Sequence, residues 1–416
     1  MNKKERMALV PKLRFPEFKS NGAVISKNGN LIFEPISNKN RNSGLPVLAI
    51  TQEHGAIPRN EIDYTVSVTD KGLESYKVVE KGDFIISLRS FQGGIEYSMF
   101  HGICSPAYII LRKKVDIVDE YYKYYFKTNR FIQDLNKDLE GIRDGKMVSY
   151  SQFSSILLPK PDKNEQQKIA DCLSSLDDLI SAENEKLIAL KGHKKGLMQK
   201  LFPADGETVP EWRFPEFRDC GEWQETSFKQ VFAKLQYGLN AAAKPYDGKN
   251  RYIRITDIDE TSRKYLSKKA VSPDCELDDT YLVRDGDILF TRTGASTGKT
   301  YIYTSGDGIL YFAGFLIRGN VNEKYYPQFI FAQTLSTNYE KWVAVTSIRS
   351  GQPGINANEY ESFKFFCPSL PEQHKIADCL TSLDDLVTAQ SEKIEVLKQH
   401  KKALIQGLFP SAQEVF

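Results

Sequence analysis

EQQKIADCLSSLDDLISAENEKLIALKGHKKGLMQKLFP occupies Glu165 to Pro203, and EQHKIADCLTSLDDLVTAQSEKIEVLKQHKKALIQGLFP occupies Glu372 to Pro410. The offset is a constant 207 residues, and 26 of the 39 positions are identical. Chance does not produce such a match, so the chain carries an internal duplication. A shorter repeat opens each half: Val10–Lys19 reads VPKLRFPEFK and Val209–Arg218 reads VPEWRFPEFR. Between these markers the halves have diverged, but echoes survive in order. Leu48–Thr51 echoes Ile253–Thr256, Lys81–Ile86 echoes Asp285–Phe290, and Ile142-Arg143 echoes Ile348-Arg349.

The near-identical segments predict long helices. Apolar residues recur at three- and four-residue spacing: Ile169, Leu173, Leu176, Ile180, Leu187, Leu190, Leu197 and Leu201 in the first copy. The second copy has Ile376, Leu380, Leu383, Val387, Ile394, Leu397, Leu404 and Leu408. Glu183, Lys194, Gln390 and Lys401 interrupt the stripes. Asp162-x-x-Glu165 and Ser369-x-x-Glu372 fit capping boxes, and Pro203 and Pro410 stop the helices. Some 38 residues at about 1.5 Å each make a rod of about 55 Å. One amphipathic rod cannot bury its stripe alone, so the two are expected to pair antiparallel, with a pseudo-twofold relation inside one chain.

The fold class expected is α+β: two mixed α/β domains separated by two coiled-coil-like helices. The boundaries expected are 1–160 for the first variable domain (its first eight or so residues flexible) and 161–203 for the first helical spacer. The second variable domain is 204–368, the second spacer 369–410, and 411–416 a tail. Strands are expected at Asp83–Leu88, Tyr108–Arg112, Tyr252–Thr256, Asp287–Thr291 and Phe312–Arg318, and helices at Tyr121–Phe131 and Pro327–Tyr339. The aromatics of those helices read as core.

Composition excludes several classes. The chain has 416 residues, 56 Lys+Arg against 54 Asp+Glu, and 41% hydrophobic residues, as in an ordinary globular protein of several domains. No apolar run approaches the roughly 20 residues of a membrane span. The opening MNKKERMALVPK lacks the apolar core of a secretory signal, so the expected location is cytoplasmic. The six cysteines form no CxxC and read as free thiols. The histidines have no metal-ligand spacing, so no metal is expected. Charge is uneven: residues 1–160 carry a net +6 and 204–370 a net −2.

No catalytic constellation emerges. Gly294–Thr300 resembles a phosphate-binding loop, but only three residues separate its glycines instead of four, and Tyr301–Tyr303 reads as a strand rather than a helix. Asp177-Asp178 and Asp384-Asp385 point about 100° apart on a helix and do not converge on one substrate atom; they read as a solvated or partner-facing surface. The polar residues left are in corresponding loops of the two variable domains. In the first they are Arg89, Ser90 and Gln92, then Arg143 and Lys146, then Tyr150 and Ser151. In the second they are Lys249 and Arg251, then Arg292, Thr293, Ser296 and Lys299, then Arg349, Ser350 and Gln352. Arg suits a guanine edge or a phosphate and Gln suits adenine, so matching loops with different side chains fit two DNA readers on one scaffold.

The duplicated EQxKIAxxL segments and the RFPEF openings make the chain similar to the specificity subunits of Type I restriction-modification systems over almost its whole length. Gly82-Asp83 and Gly286-Asp287 resemble that family's strand-entry motif. The family's Trp after RFPEF is present as Trp223 but has no counterpart in Lys19–Ile25, which leaves the first domain's opening strand undefined. The resemblance implies a non-catalytic, sequence-specific reader of a bipartite, asymmetric double-stranded DNA target. It implies two modification (methyltransferase) subunits docked on the helices and restriction (translocase/nuclease) subunits beyond them. S-adenosylmethionine, ATP and Mg are then expected on those partners, with no cofactor on this chain. The competing expectation is a two-headed coiled-coil scaffold that binds proteins without DNA specificity.

Overall fold

The computed structural model describes residues 10–39, 44–61, 73–137 and 148–410. The expected flexible lead, the tail and the segment with Ile142, Arg143 and Lys146 lie outside the described residues. The chain divides into two compact units. One is Met1–Asn184 with Glu392–Phe416, and the other is Glu185–Ser391.

Each unit contains a four-stranded antiparallel sheet of the same topology. In the first, β1 (Phe33–Ile36), β2 (Phe84–Ile86), β3 (Glu96–Tyr97) and β4 (Ile109–Lys113) lie in the order β1-β4-β2-β3. In the second, β5 (Phe232–Tyr237), β6 (Ile288–Thr291), β7 (Thr300–Ile302) and β8 (Leu316–Val321) lie in the order β5-β8-β6-β7. The Gly-Asp pairs turn the chain into β2 and β6. Gly82 (φ 97°) and Gly286 (φ 80°) occupy the left-handed region that favours glycine. The aspartates behind them are buried and fully used. Asp83 accepts from the Glu80 N–H and takes Arg112 at 2.8 Å on both oxygens. Asp287 accepts from the Arg284 N–H and from Asn320, both at 2.9 Å.

The aromatic helices are core, and each is broken once. In the first unit α1 (Asp119–Tyr125) gives way to α2 (Asn129–Asn136), because the Thr128 hydroxyl caps the Phe131 N–H. A short α3 (Tyr150–Ser155) follows. Tyr121, Tyr122, Tyr125, Phe126 and Phe131 are buried with Phe33, Phe84 and Phe153, each contributing on the order of 2–3 kcal/mol by burial.

The first long helix, α4, runs Lys163–Leu201 over 39 residues. In the second unit α5 (Pro327–Gln333), α6 (Thr337–Thr346), capped by Ser336, and α7 (Ala357–Glu361) repeat the short helices. The second long helix, α8, runs Leu370–Leu408 over 39 residues. The strand expected over Phe312–Arg318 is two strands. Leu310–Phe312 pairs in parallel with Arg251–Ile253, and β8 joins the large sheet, with a turn at Ala313–Phe315 between them. Despite the missing Trp, the first unit has its opening strand: Ser26–Asn28 pairs with Leu157–Pro159, as Gln224–Ser227 pairs with Lys364–Cys367. In the second unit Trp223 is buried against Phe329.

The long helices pair antiparallel inside each unit. In the first, Ile169 and Leu173 near the start of α4 share a core with Leu404 and Leu408 near the end of α8. In the second, Leu197 and Leu201 share a core with Ile376 and Leu380. Ile394 is buried, and Leu176, Ile180, Leu187, Leu190, Leu383, Val387 and Leu397 are half-buried, as expected for a two-helix seam. Three interruptions of the stripe are ionic links across it. Glu183 meets Lys393 at 2.5 Å, Lys194 meets Asp384 at 2.5 Å, and Lys401 meets Asp177. Of the two Asp pairs, read as a solvated or partner-facing surface, Asp177 and Asp384 each face a lysine of the other long helix and remain partly exposed. Asp178 and Asp385 are exposed.

The capping boxes also need correction. Asp162 does cap α4, accepting from the Glu165 N–H at 2.9 Å, while the Glu372 N–H bonds to the Ser369 carbonyl. Neither glutamate side chain turns back to its cap. Glu165 takes Arg14 on both oxygens at 2.7 Å, and Glu372 takes Arg213 in the same way. The two repeated motifs are thus halves of one clamp. The neighbouring glutamines are staples: Gln166 accepts from the Val118 N–H and donates to the Pro161 carbonyl, and Gln373 does the same for Tyr326 and Pro368.

Candidate nucleic-acid interface

In the second unit the strand β6 ends in the loop Arg292–Lys299, and α6 ends in the loop Arg349–Gly354. The backbone joins them. Thr293 bridges Gly354, the Gly294 N–H bonds to the Pro353 carbonyl at 3.0 Å, and the Ile355 N–H bonds to the Arg292 carbonyl at 2.9 Å. Gly294 has φ 81° and lies against Gln352, whose Nε2 would be 3.0 Å from any Cβ there. The structure therefore brings Arg292, Thr293, Gly294 and Gln352 together. Arg292 is half-buried, with its guanidinium 4.9 Å above the Tyr237 ring. Tyr237 in turn accepts from the Ala357 N–H at 3.1 Å. Gln352 and Ser350 are exposed.

Other expected contacts are placed differently. Arg349 forms a two-pronged ion pair with Glu359 at 2.5 and 2.6 Å, so its charge is already matched. Lys299 is 4% exposed, with its ammonium on the Ile258 carbonyl and on Glu260. It supports the loop from inside rather than facing solvent. Ser296 touches Glu260 at 3.4 Å. Lys249 and Arg251 belong to another cluster. The Lys249 and Asn250 N–H groups bond to Asp247 and hold its carboxyl low, at about 2. Arg251 donates to the Asp307 carbonyl and lies over Tyr246. The loop between β6 and β7 is a strand-to-strand turn, so it lacks the helix a phosphate loop requires.

In the first unit Arg89 and Gln92 are exposed on a four-residue helical turn, Ser90–Gly93, at the end of β2. Ser90 is 1% exposed. Its hydroxyl accepts from the Ser87 N–H at 2.9 Å and closes the turn, so it too serves the fold. Gln52, absent from the sequence-based set, packs on Gly93 and donates to the Arg89 carbonyl at 3.2 Å. Tyr150 donates to the Phe33 carbonyl at 3.2 Å from the core edge, and Ser151 is exposed. Arg143 and Lys146 lie outside the described residues. Tyr237 and Gln52 had no signal in the sequence, because each joins its loop through a contact 37 or more residues away in the chain.

Among the described residues no group of three or more His, Cys, Asp or Glu side chains is placed to hold a metal. No helix among them is long and apolar enough to cross a membrane.

The chain is similar to known proteins over most of its length. The MjaVIII Type I restriction enzyme specificity subunit of Methanocaldococcus jannaschii is 26% identical over 360 residues, covering 82% of this chain and 81% of that one. The MjaIX specificity subunit of the same organism is 30% identical over 362 residues, covering 82% and 80%. The crystal structure of a Type-I restriction-modification system S subunit from M. genitalium superposes with a TM-score of 0.58 at 15% identity, covering 97% of this chain and all of that one. A chain from a structure of the assembly and conformational transition of a type I R-M system also gives 0.58, at 14% identity, covering 92% and 96%. These two share the fold. The Type I restriction modification DNA specificity domain matches residues 17–191 and again 221–399, once for each copy of the duplicated segment, and the chain belongs to that family.

Proposed function

We propose that this chain is the sequence-reading subunit of a Type I restriction-modification complex, binding double-stranded DNA and performing no catalytic step. The observation that carries the reading is the fused pair of loops in the second unit. It presents Arg292, Thr293 and Gln352 on one backbone-locked surface. Arg pairs with the O6 and N7 of guanine and Gln with adenine, and a locked loop loses little entropy on meeting a base edge. The Arg89–Gln92 turn of the first unit is at the corresponding strand end and carries different side chains. Different readers at matching places suit a target of two unlike parts, one for each variable segment (1–160 and 204–368).

The long helices 161–203 and 369–410 are the surfaces for two modification subunits, which bring S-adenosylmethionine and methylate adenine. Restriction subunits bring ATP, Mg and cleavage. The complex works in the cytoplasm.

The test assembles the chain with modification subunits and maps methylated adenines on genomic DNA. Arg292→Ala is expected to relax one part of the modified motif and leave the other unchanged. Exchanging residues 204–368 for another variable segment is expected to change that same part. Loss spread evenly over both parts overturns unit-by-unit reading.

A further inference from the structure

Phe315 has no role in the core. It is 63% exposed, on the turn between Leu310–Phe312 and β8, where the apolar residues Phe312, Leu316 and Ile317 on either side are buried. The turn is nonetheless built tightly. The Gly314 N–H bonds to the Leu239 carbonyl at 2.7 Å, and the Leu239 N–H to the Phe312 carbonyl at 2.8 Å. A Cβ on Gly238 would stand 2.3 Å from the Ala313 carbonyl oxygen, so only glycine permits this approach. The same turn holds Arg292. The Arg292 N–H bonds to the Phe315 carbonyl at 3.1 Å, and its guanidinium reaches the Gly314 carbonyl at 3.4 Å. Phe315 is therefore an apolar side chain held in water beside the arginine best placed to meet a guanine.

We propose that Phe315 is a specificity residue of the second unit: it packs on the C5-methyl of a thymine at the base step of the guanine met by Arg292. The chemistry selects the base. In the major groove thymine alone among the four bases offers an apolar group, and a rigid phenyl ring covers a methyl without needing a hydrogen bond. Arg292 and Phe315 flank the paired ends of two neighbouring strands and are joined by a backbone hydrogen bond, so the guanine and thymine they read are expected to be neighbours. The inference rests on the reading of the second unit as a DNA reader and adds one base to it.

The experiment uses the full chain assembled with modification subunits, and duplexes in which each thymine of the second unit's half-site is replaced in turn by deoxyuridine, which lacks only the methyl. Binding of the unaltered chain is expected to fall about fourfold at one thymine, the worth of one buried carbon. Phe315→Ala is expected to bind the thymine and deoxyuridine duplexes equally, and Phe315→Leu to retain part of the difference. Being exposed, position 315 tolerates both changes without unfolding. A half-site with no thymine beside a guanine overturns the inference. So does a Phe315→Ala chain that still distinguishes thymine from deoxyuridine, or an unaltered chain that never does. If Arg292→Ala still relaxes the half-site in those cases, the DNA-reading assignment stands and the role of Phe315 alone falls; if neither variant changes binding, the assignment itself falls.

Discussion

Lys194 and Asp384 are 190 residues apart in the chain and meet at 2.5 Å across the antiparallel seam of the second unit. Lys401 and Asp177 make the corresponding contact in the first unit, where Tyr124 donates to the same aspartate at 2.7 Å. Three of the four residues that interrupt the hydrophobic stripe in the sequence, Glu183, Lys194 and Lys401, make ion pairs across the seam.

These seam pairs are expected to specify more than they stabilise. Asp384 is 45% exposed and Lys194 17%, so water screens the pair and its worth is within about 1 kcal/mol. Lys194→Met should therefore shift the urea midpoint little. A charge reversal at Lys194 alone should cost more than Met, and reversing both partners should recover the difference.

The Arg–Glu clamps are expected to behave otherwise. Arg213 is 8% exposed and Glu372 0%, so removing one partner leaves a buried charge unpaired, at a cost of about 3–5 kcal/mol. Arg213→Met should accelerate hydrogen exchange through the second unit, and Arg14→Met through the first. If Arg213→Met with Glu372→Met is no more stable than Arg213→Met alone, the cost does not come from the orphaned carboxylate.

Thiol chemistry should divide the cysteines. Burial pushes the thiols of Cys104 and Cys367 up to about 12, so at pH 8 they are protonated as well as covered. Cys220 and Cys275 are exposed. Alkylation of the native chain at pH 8, read by mass spectrometry, should modify Cys220 and Cys275 first and reach Cys104 and Cys367 only after denaturant is added.

The Asp247 turn should resist acid. Hydrogen bonds from the Asn250 and Lys249 N–H groups lower this carboxyl from 3.8 to about 2. A depressed folded-state value means that the stabilisation is fully present above the unfolded value and is lost as pH falls through the folded one. The amide resonances of Lys249 and Asn250 should hold their positions down to about pH 3 and move below it.

The duplication made the architecture legible in the sequence: both long helices, the strands after Gly82-Asp83 and Gly286-Asp287, and the aromatic core follow from local pattern. Partners distant in the chain were not legible. A glutamate three residues after a cap residue looks local, yet Glu165 finds Arg14, 151 residues earlier. Ser90 and Lys299 carry DNA-binding chemistry by residue type, but the fold consumes their polar atoms. Gln52, Tyr237 and Phe315 entered the candidate surface only through the backbone contacts that seat them. No periodicity marks such residues.

The clamp between Arg213 and Glu372 fastens the opening of residues 204–368 to the first turn of the long helix that follows them. The two partners are 159 residues apart, and the chain between them leaves from and returns to one buried ion pair. Such a closure acts as the mount of a camera lens does, joining the two ends of what it carries at a single point.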